Sequence, residues 1–102
     1  MLESKELAKK LKALAHPLRL KIIALLAGEG EDLYLNEIAN MLDVNRALAK
    51  IHLKKLESAG IVKSRVVLVE GEARALRYYK LLDFDVHVSP EILRKEVGND
   101  GN

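Results

Sequence analysis

"NRALAKIHLKKLESAGIV", residues 45–62, is the stretch on which the fold turns. Wound at ~100° per residue, the segment from Arg46 to Ala59 forms a helix. Arg46, Lys50 and Lys54 line one side of it, and Ala49, Leu53 and Leu56 line nearly the opposite side. Asn45 stands at the cap position, where a side-chain oxygen satisfies a free backbone N–H, and Gly60 ends the helix. The apolar side reads as core. The cationic side needs a purpose, because most charge runs are only solvated helix faces.

The flanks supply a context. Upstream, Asn36 is placed to cap a helix over about 37–42, with Glu37 complementing its dipole. "LDVN" is then a tight connection, and two helices so joined form a helix-turn-helix. Downstream, "IVKSRVVLV" (61–69) and "RALRYYKLL" (74–82) are rich in strand-forming residues, and "EGEA" between them is a glycine turn. That is a hairpin. Toward the N-terminus, "SKELAKKLKALA" (4–15) reads as a helix capped by Ser4, with Leu7, Leu11 and Leu14 on one face. His16-Pro17 interrupts it, and Pro17 opens a second helix, "PLRLKIIALLAG", closed by Gly28. "EGED" (29–32) is a loop and "LYL" (33–35) a very short strand. In "DFDVHV" (83–88) the alternation turns Phe84, Val86 and Val88 inward. Ser89-Pro90-Glu91 starts a last helix reaching about Val97, and 98–102 reads as a disordered tail. The reading is one mainly α domain with a small β-hairpin over residues 1–97.

Bulk properties narrow the function. The 102-residue chain has a net charge of only +2, but the charge is uneven. Residues 44–65 hold Arg46, Lys50, Lys54, Lys55, Lys63 and Arg65 against the single acid Glu57. A basic patch on a near-neutral protein points to one face that meets a polyanion. Without cysteine, disulfides and thiolate metal sites are excluded. The opening segment is charged throughout and no apolar run approaches the ~20 residues of a membrane span. A cytoplasmic protein with no membrane partner is therefore expected. Absence of glutamine and cysteine beside high charge leans toward a thermophilic source. No nucleophile–base–orienter set and no glycine-rich phosphate loop is visible, so an enzyme is not expected.

Helix-turn-helix followed by a two-stranded wing is the winged-helix arrangement, whose second helix is sized for the ~12 Å major groove. "LKALAHPLRLKIIALL", "LNEIANMLDVNRALAKIHLKKLESAGIV" and "RYYKL", spanning about residues 10–82, resemble the ArsR-type winged-helix transcription regulators. The most specific piece is "HLKKLESAGIV". The resemblance implies a dimeric, repressor-like regulator that reads a palindromic site in double-stranded DNA. By position, Arg46, Ala47 and Lys50 fall where that family's helix faces the bases, and Asn45 falls at the cap, where it also meets a phosphate. Arg46 suits guanine O6/N7, while Lys50 and Lys54 suit phosphates or guanine. Asn36 joins the expected contacts. So do Arg74 and Arg77 on the wing strands, although the wing turn, Glu70-Gly71-Glu72, is acidic and repels phosphates.

Other positions divide. Ile51 points away from Leu53 and Leu56 and suits either a thymine methyl or plain solvent. His52 matches a histidine common in the family and reads as a hydrogen-bonded structural residue. His16 reads as having a local role before Pro17, and Arg19 as an internal ion pair or a phosphate contact. Asp83, Asp85 and His87 share one face at strand spacing, but no later histidine completes a ligand set, so no metal and no cofactor is expected. Leu7, Leu11, Leu14, Phe84, Val86, Val88, Ile92 and Leu93 offer more apolar surface than an appended tail should expose, and are expected to build a two-fold dimer interface. The competing reading is a winged-helix protein-interaction module in a transcription or chromatin assembly.

Overall fold

The computed structural model of the protein describes residues 3–98; of the tail expected over 98–102, all but Gly98 lies outside the described residues. Five helices and three strands follow in the order α1 (Ser4–Leu14), α2 (Pro17–Glu29), β1 (Leu33–Tyr34), α3 (Leu35–Met41), α4 (Arg46–Ser58), β2 (Val62–Leu68), β3 (Ala75–Leu81) and α5 (Pro90–Glu96). The strands make one antiparallel sheet in the order β1-β3-β2. Tyr34 lies opposite Tyr78, and Val62 opposite Leu81. This is a winged helix-turn-helix.

The local chemistry explains most of the boundaries. Asn45 Oδ1 accepts from Leu48 N at 2.7 Å and starts α4. Gly60, at φ +75°, lets the chain turn out of α4 straight into β2, a left-handed conformation that side chains rarely adopt. Pro17 opens α2, and the residue before it is the cap: His16 Nδ1 accepts from Leu18 N at 3.0 Å. Ser89 Oγ accepts from Ile92 N at 3.1 Å and starts α5.

Three expected caps are corrected. Ser4 lies inside α1, whose cap is Glu3. Asn36 lies inside α3, because Tyr34 stays extended to pair with β3; Glu37 then reaches back to Tyr34 N at 3.0 Å. Gly28 remains helical and Gly30, at φ +69°, closes α2 one half-turn later. The wing strands end a residue short of the expected turn on each side, and Val69 N donates to Arg74 O across its neck.

The core sits where α2, α3, α4 and the sheet meet. Ile22, Ile38, Leu53, Leu56, Ile61 and Val62 are its largest fully buried side chains. Each such aliphatic side chain contributes about 2–5 kcal/mol relative to alanine, the lost transfer free energy plus the cavity left behind. Phe84 and Leu14 pack against this core. The alternation after β3 holds only in part: Phe84 and Val86 are half-buried but Val88 is 49% exposed.

Candidate nucleic-acid interface

α4 is held from beneath and from both ends. Ala49, Leu53 and Leu56 are wholly buried, and His52 sits beside them, 8% exposed. Placing the buried centre of the helix there corrects the wheel. The outermost positions are Ala47, Ile51, Lys54 and Ser58, ~180° from that centre; Arg46 and Lys50 lie between that face and the core, on the side of the wing. Ile51, 54% exposed, is therefore in the middle of the exposed face.

On the wing side, Lys50, Lys54, Glu57, Arg77 and Tyr79 line a cleft of ≈ 230 Å³. A chain of hydrogen bonds organises it. Ser64 Oγ donates to Glu57 Oε2 at 2.7 Å, and Arg77 Nη1 donates to Ser64 Oγ at 3.0 Å. Arg77 is thereby fixed beside Lys50 and Lys54. Burial pushes the Tyr79 hydroxyl pKa upward, with Arg77 opposing, Glu57 adding and Arg46 opposing. The phenol therefore stays a neutral hydrogen-bond donor among the cations. Glu57 and Tyr79 escape a reading of cationic residues alone, although Glu57 stands out as the one acid in the basic stretch.

Arg74 lies apart from this group. It pairs with Glu72 at the wing tip, so the acidic turn claims the nearest basic residue. Asn36 is exposed on α3 with no capping duty. Arg65 pairs with Asp32 at 3.4 Å and lies 4.9 Å from the centre of the Tyr78 ring, which ties the wing to β1.

On the opposite side, α4 leans on a structural cluster. Arg19 Nε donates to His52 Nδ1 at 3.3 Å, and Arg19 Nη1 donates to the carbonyls of Lys12 and Ala13 at 3.3 and 3.1 Å. Arg19 thus caps the C-terminal end of α1 and forms no ion pair among the described residues. The His16 and His52 rings are 4.2 Å apart. Burial lowers the pKa of His52 most, helped by His16, Arg19 and Lys55. A neutral imidazole that accepts at Nδ1 suits the structural role expected of it. Lys10 Nζ donates to Ala59 O at 3.0 Å and caps the far end of α4.

In the C-terminal segment, His87 Nε2 lies 2.8 Å from Asp85 Oδ1, and among the described residues no group of three metal-ligating side chains converges. Leu7, Val86 and Ile92 line a groove of ≈ 550 Å³ between α1 and this segment. Leu11, Val88 and Leu93 are exposed. Among the described residues no helix is long and apolar enough to cross a membrane.

Comparison with known proteins agrees with this architecture. Residues 16–64 match the family described as bacterial regulatory proteins of the arsR family. The chain is 39% identical over 88 residues to an HTH-type transcriptional regulator of Methanocaldococcus jannaschii, covering 86% of this chain and 88% of that protein. It is 40% identical over 78 residues to a homologue of the cadmium resistance regulatory protein CadC from Staphylococcus aureus, covering 76% of this chain and 59% of that one. Its backbone is similar to the homodimeric winged helix-turn-helix DNA-binding domain Mb0332 of Mycobacterium bovis, with a TM-score of 0.62 and 32% identity over 76% of this chain and 64% of that chain. A helix-turn-helix with a basic second helix, backed by these relatives, decides against a pure protein-interaction module: the chain belongs to the ArsR family of winged helix-turn-helix DNA-binding transcriptional regulators.

Proposed function

We propose that the chain acts as a homodimer on a palindromic duplex site, with α4 of each protomer in the major groove and a repressor-like outcome. The observation that carries the reading is the solvent face of α4. Ala47, Ile51 and Lys54 project outward from it, with Arg46 and Lys50 flanking on the wing side. Arg46 presents a bidentate donor for guanine, Ile51 an apolar surface for a thymine methyl, and Lys50 and Lys54 charge for phosphate or guanine. Arg77, held by Ser64, is positioned for the backbone next to Lys50 and Lys54. Asn45 spends its carbonyl oxygen on the cap, which leaves its amide N–H donors for a phosphate, and exposed Asn36 supplies another polar contact. Arg74 has the weakest claim, because Glu72 neutralises it.

Dimerisation rests on shape and on uncovered apolar surface. The radius of gyration is 16.2 Å, against ~13 Å for a compact chain of this length. α5 buries nothing, and Leu11, Val88 and Leu93 are exposed next to the groove of Leu7, Val86 and Ile92. Leu14 and Phe84, by contrast, pack on the chain's own core and form only the base of such an interface. The Mycobacterium bovis domain is itself homodimeric. A two-fold dimer sets its recognition helices ~34 Å apart and uses each half-site contact twice.

Sedimentation of the full chain and of Leu93→Glu tests this reading. Leu93 is exposed, so the variant folds; the expected result is a dimer at micromolar concentration for the native chain and a monomer for the variant. A native monomer that binds one asymmetric half-site contradicts it.

A further inference from the structure

A second concave site lies between α1 and α4, away from the wing. Its volume is ≈ 540 Å³, within the ~300–1,000 Å³ range of small-molecule sites. The apolar part of its lining is Ala13, Ile51 and Ala59, with Ile51 itself 54% exposed. The rim is cationic: Lys9 and Lys12 rise from α1, Lys54 and Lys55 from α4, and Arg19 closes one end. No acidic side chain lines it. None of these cations is ion-paired among the described residues. Arg19 is already oriented by its bonds to His52 and to the end of α1, and its Nη2 group has no protein acceptor among the described residues.

An apolar lining beside unpaired cations selects a ligand with both features. A neutral apolar molecule leaves the cations unused, and a bare inorganic anion leaves the apolar lining unused. A row of DNA phosphates likewise leaves the apolar part of the lining unused. We infer that this groove binds an amphipathic organic anion, a carboxylate with a medium-length hydrocarbon body, and that its occupation lowers DNA affinity. The coupling follows from shared residues, Lys54 and Ile51, which stand on the exposed face of α4. The anion neutralises the first and covers the second. By linkage, DNA weakens the anion by the same factor. The coupling rests on the reading of α4 as the DNA-contacting helix; the binding itself does not.

Two measurements on the full chain keep these apart. Calorimetry without DNA, at fixed salt and below micelle formation, compares sodium decanoate with decanol and with acetate. The expected result is saturable binding of decanoate, with both controls about tenfold weaker or undetectable. The double variant Lys9→Ala/Lys12→Ala, at two exposed positions outside the proposed DNA face, is expected to weaken decanoate about five- to tenfold while DNA affinity stays within about twofold. Anisotropy with duplex DNA is then expected to show decanoate displacing the native chain and failing to displace the double variant at the same concentration. No saturable decanoate binding, or binding indifferent to the double variant, overturns the site. A double variant that loses DNA affinity and flattens the salt slope, with no decanoate binding, also overturns it and assigns these lysines to the DNA footprint. Decanoate binding that leaves DNA affinity unchanged overturns the coupling.

Discussion

α4 and the C-terminal segment are both amphipathic, yet they use their apolar sides differently. α4 buries Ala49, Leu53 and Leu56 completely and has both ends tied, by Asn45 at the start and by Lys10 at Ala59. α5 is capped as well, by Ser89, but none of its residues is buried, and Leu93 remains exposed. A cap decides where a helix starts; only a partner surface decides whether its apolar side is covered. In α4 the partner is the chain's own core, which frees the other face for a ligand. In α5 no such partner lies among the described residues, which is the physical basis for proposing it as an interface.

The contrast is broken most strongly by truncating one leucine from each region. Leu53→Ala is expected to destabilise the protein by about 2–5 kcal/mol, since a closed core leaves a cavity. Leu93→Ala is expected to change the intrinsic stability of the protomer by less than about 1 kcal/mol and to act on assembly instead. Urea denaturation at several protein concentrations separates the two: only the Leu93 variant is expected to lose concentration dependence. Equal losses in both variants make the C-terminal segment part of the monomer core.

A smaller effect sharpens the account of what holds α4. The depressed pKa of His52 means that the unfolded chain takes up a proton more readily than the folded one. The associated stability is complete above the unfolded value of 6.5 and is lost as pH falls through it toward the folded value. Thermal melts from about pH 8 to about pH 5 are expected to show this loss in the native chain. His52→Gln should start from a lower Tm and give a flatter profile. Parallel profiles remove His52 from the linkage.

The C-terminal segment carries the expectation of no effect. Asp83, Asp85 and His87 form no closed ligand set, and the chain has no cysteine. Stoichiometric zinc, nickel or cobalt is expected to leave DNA affinity unchanged. A tenfold change abolished by His87→Ala contradicts this.

Much of this fold is written in local chemistry. Pro17, Asn45, Gly60 and Ser89 each do at their positions what their chemistry dictates. The misreadings share a cause. Asn36 is the better cap by propensity, but the pairing of Tyr34 with Tyr78 keeps the chain extended until the helix must start at Leu35. Gly28 and Gly30 are both able to end α2, and the choice is made by the route to β1. His16 is legible as a residue with a local role before Pro17 though not as a cap, since histidine is an uncommon one; the caps supplied by Arg19 and Lys10 are illegible, because both reach carbonyls in other segments. At the site, the cationic stripe of α4 was legible, but its true angle to the core was not. The wheel already turns Ile51 away from Leu53 and Leu56, but only packing shows that Arg46 and Lys50 lie between the exposed face and the core.

The central claim is that the outward and wing-side face of α4 reads duplex DNA. Its most direct test is selection of binding sites from random duplexes by the native chain and by Arg46→Ala, followed by affinity and salt dependence on the selected site. The account predicts a palindromic motif, a loss of about 1–3 kcal/mol for Arg46→Ala with one base position relaxed in each half-site, and a shallower salt slope for Lys54→Ala on every sequence alike. An Arg46→Ala chain that selects the same motif with the same affinity contradicts it.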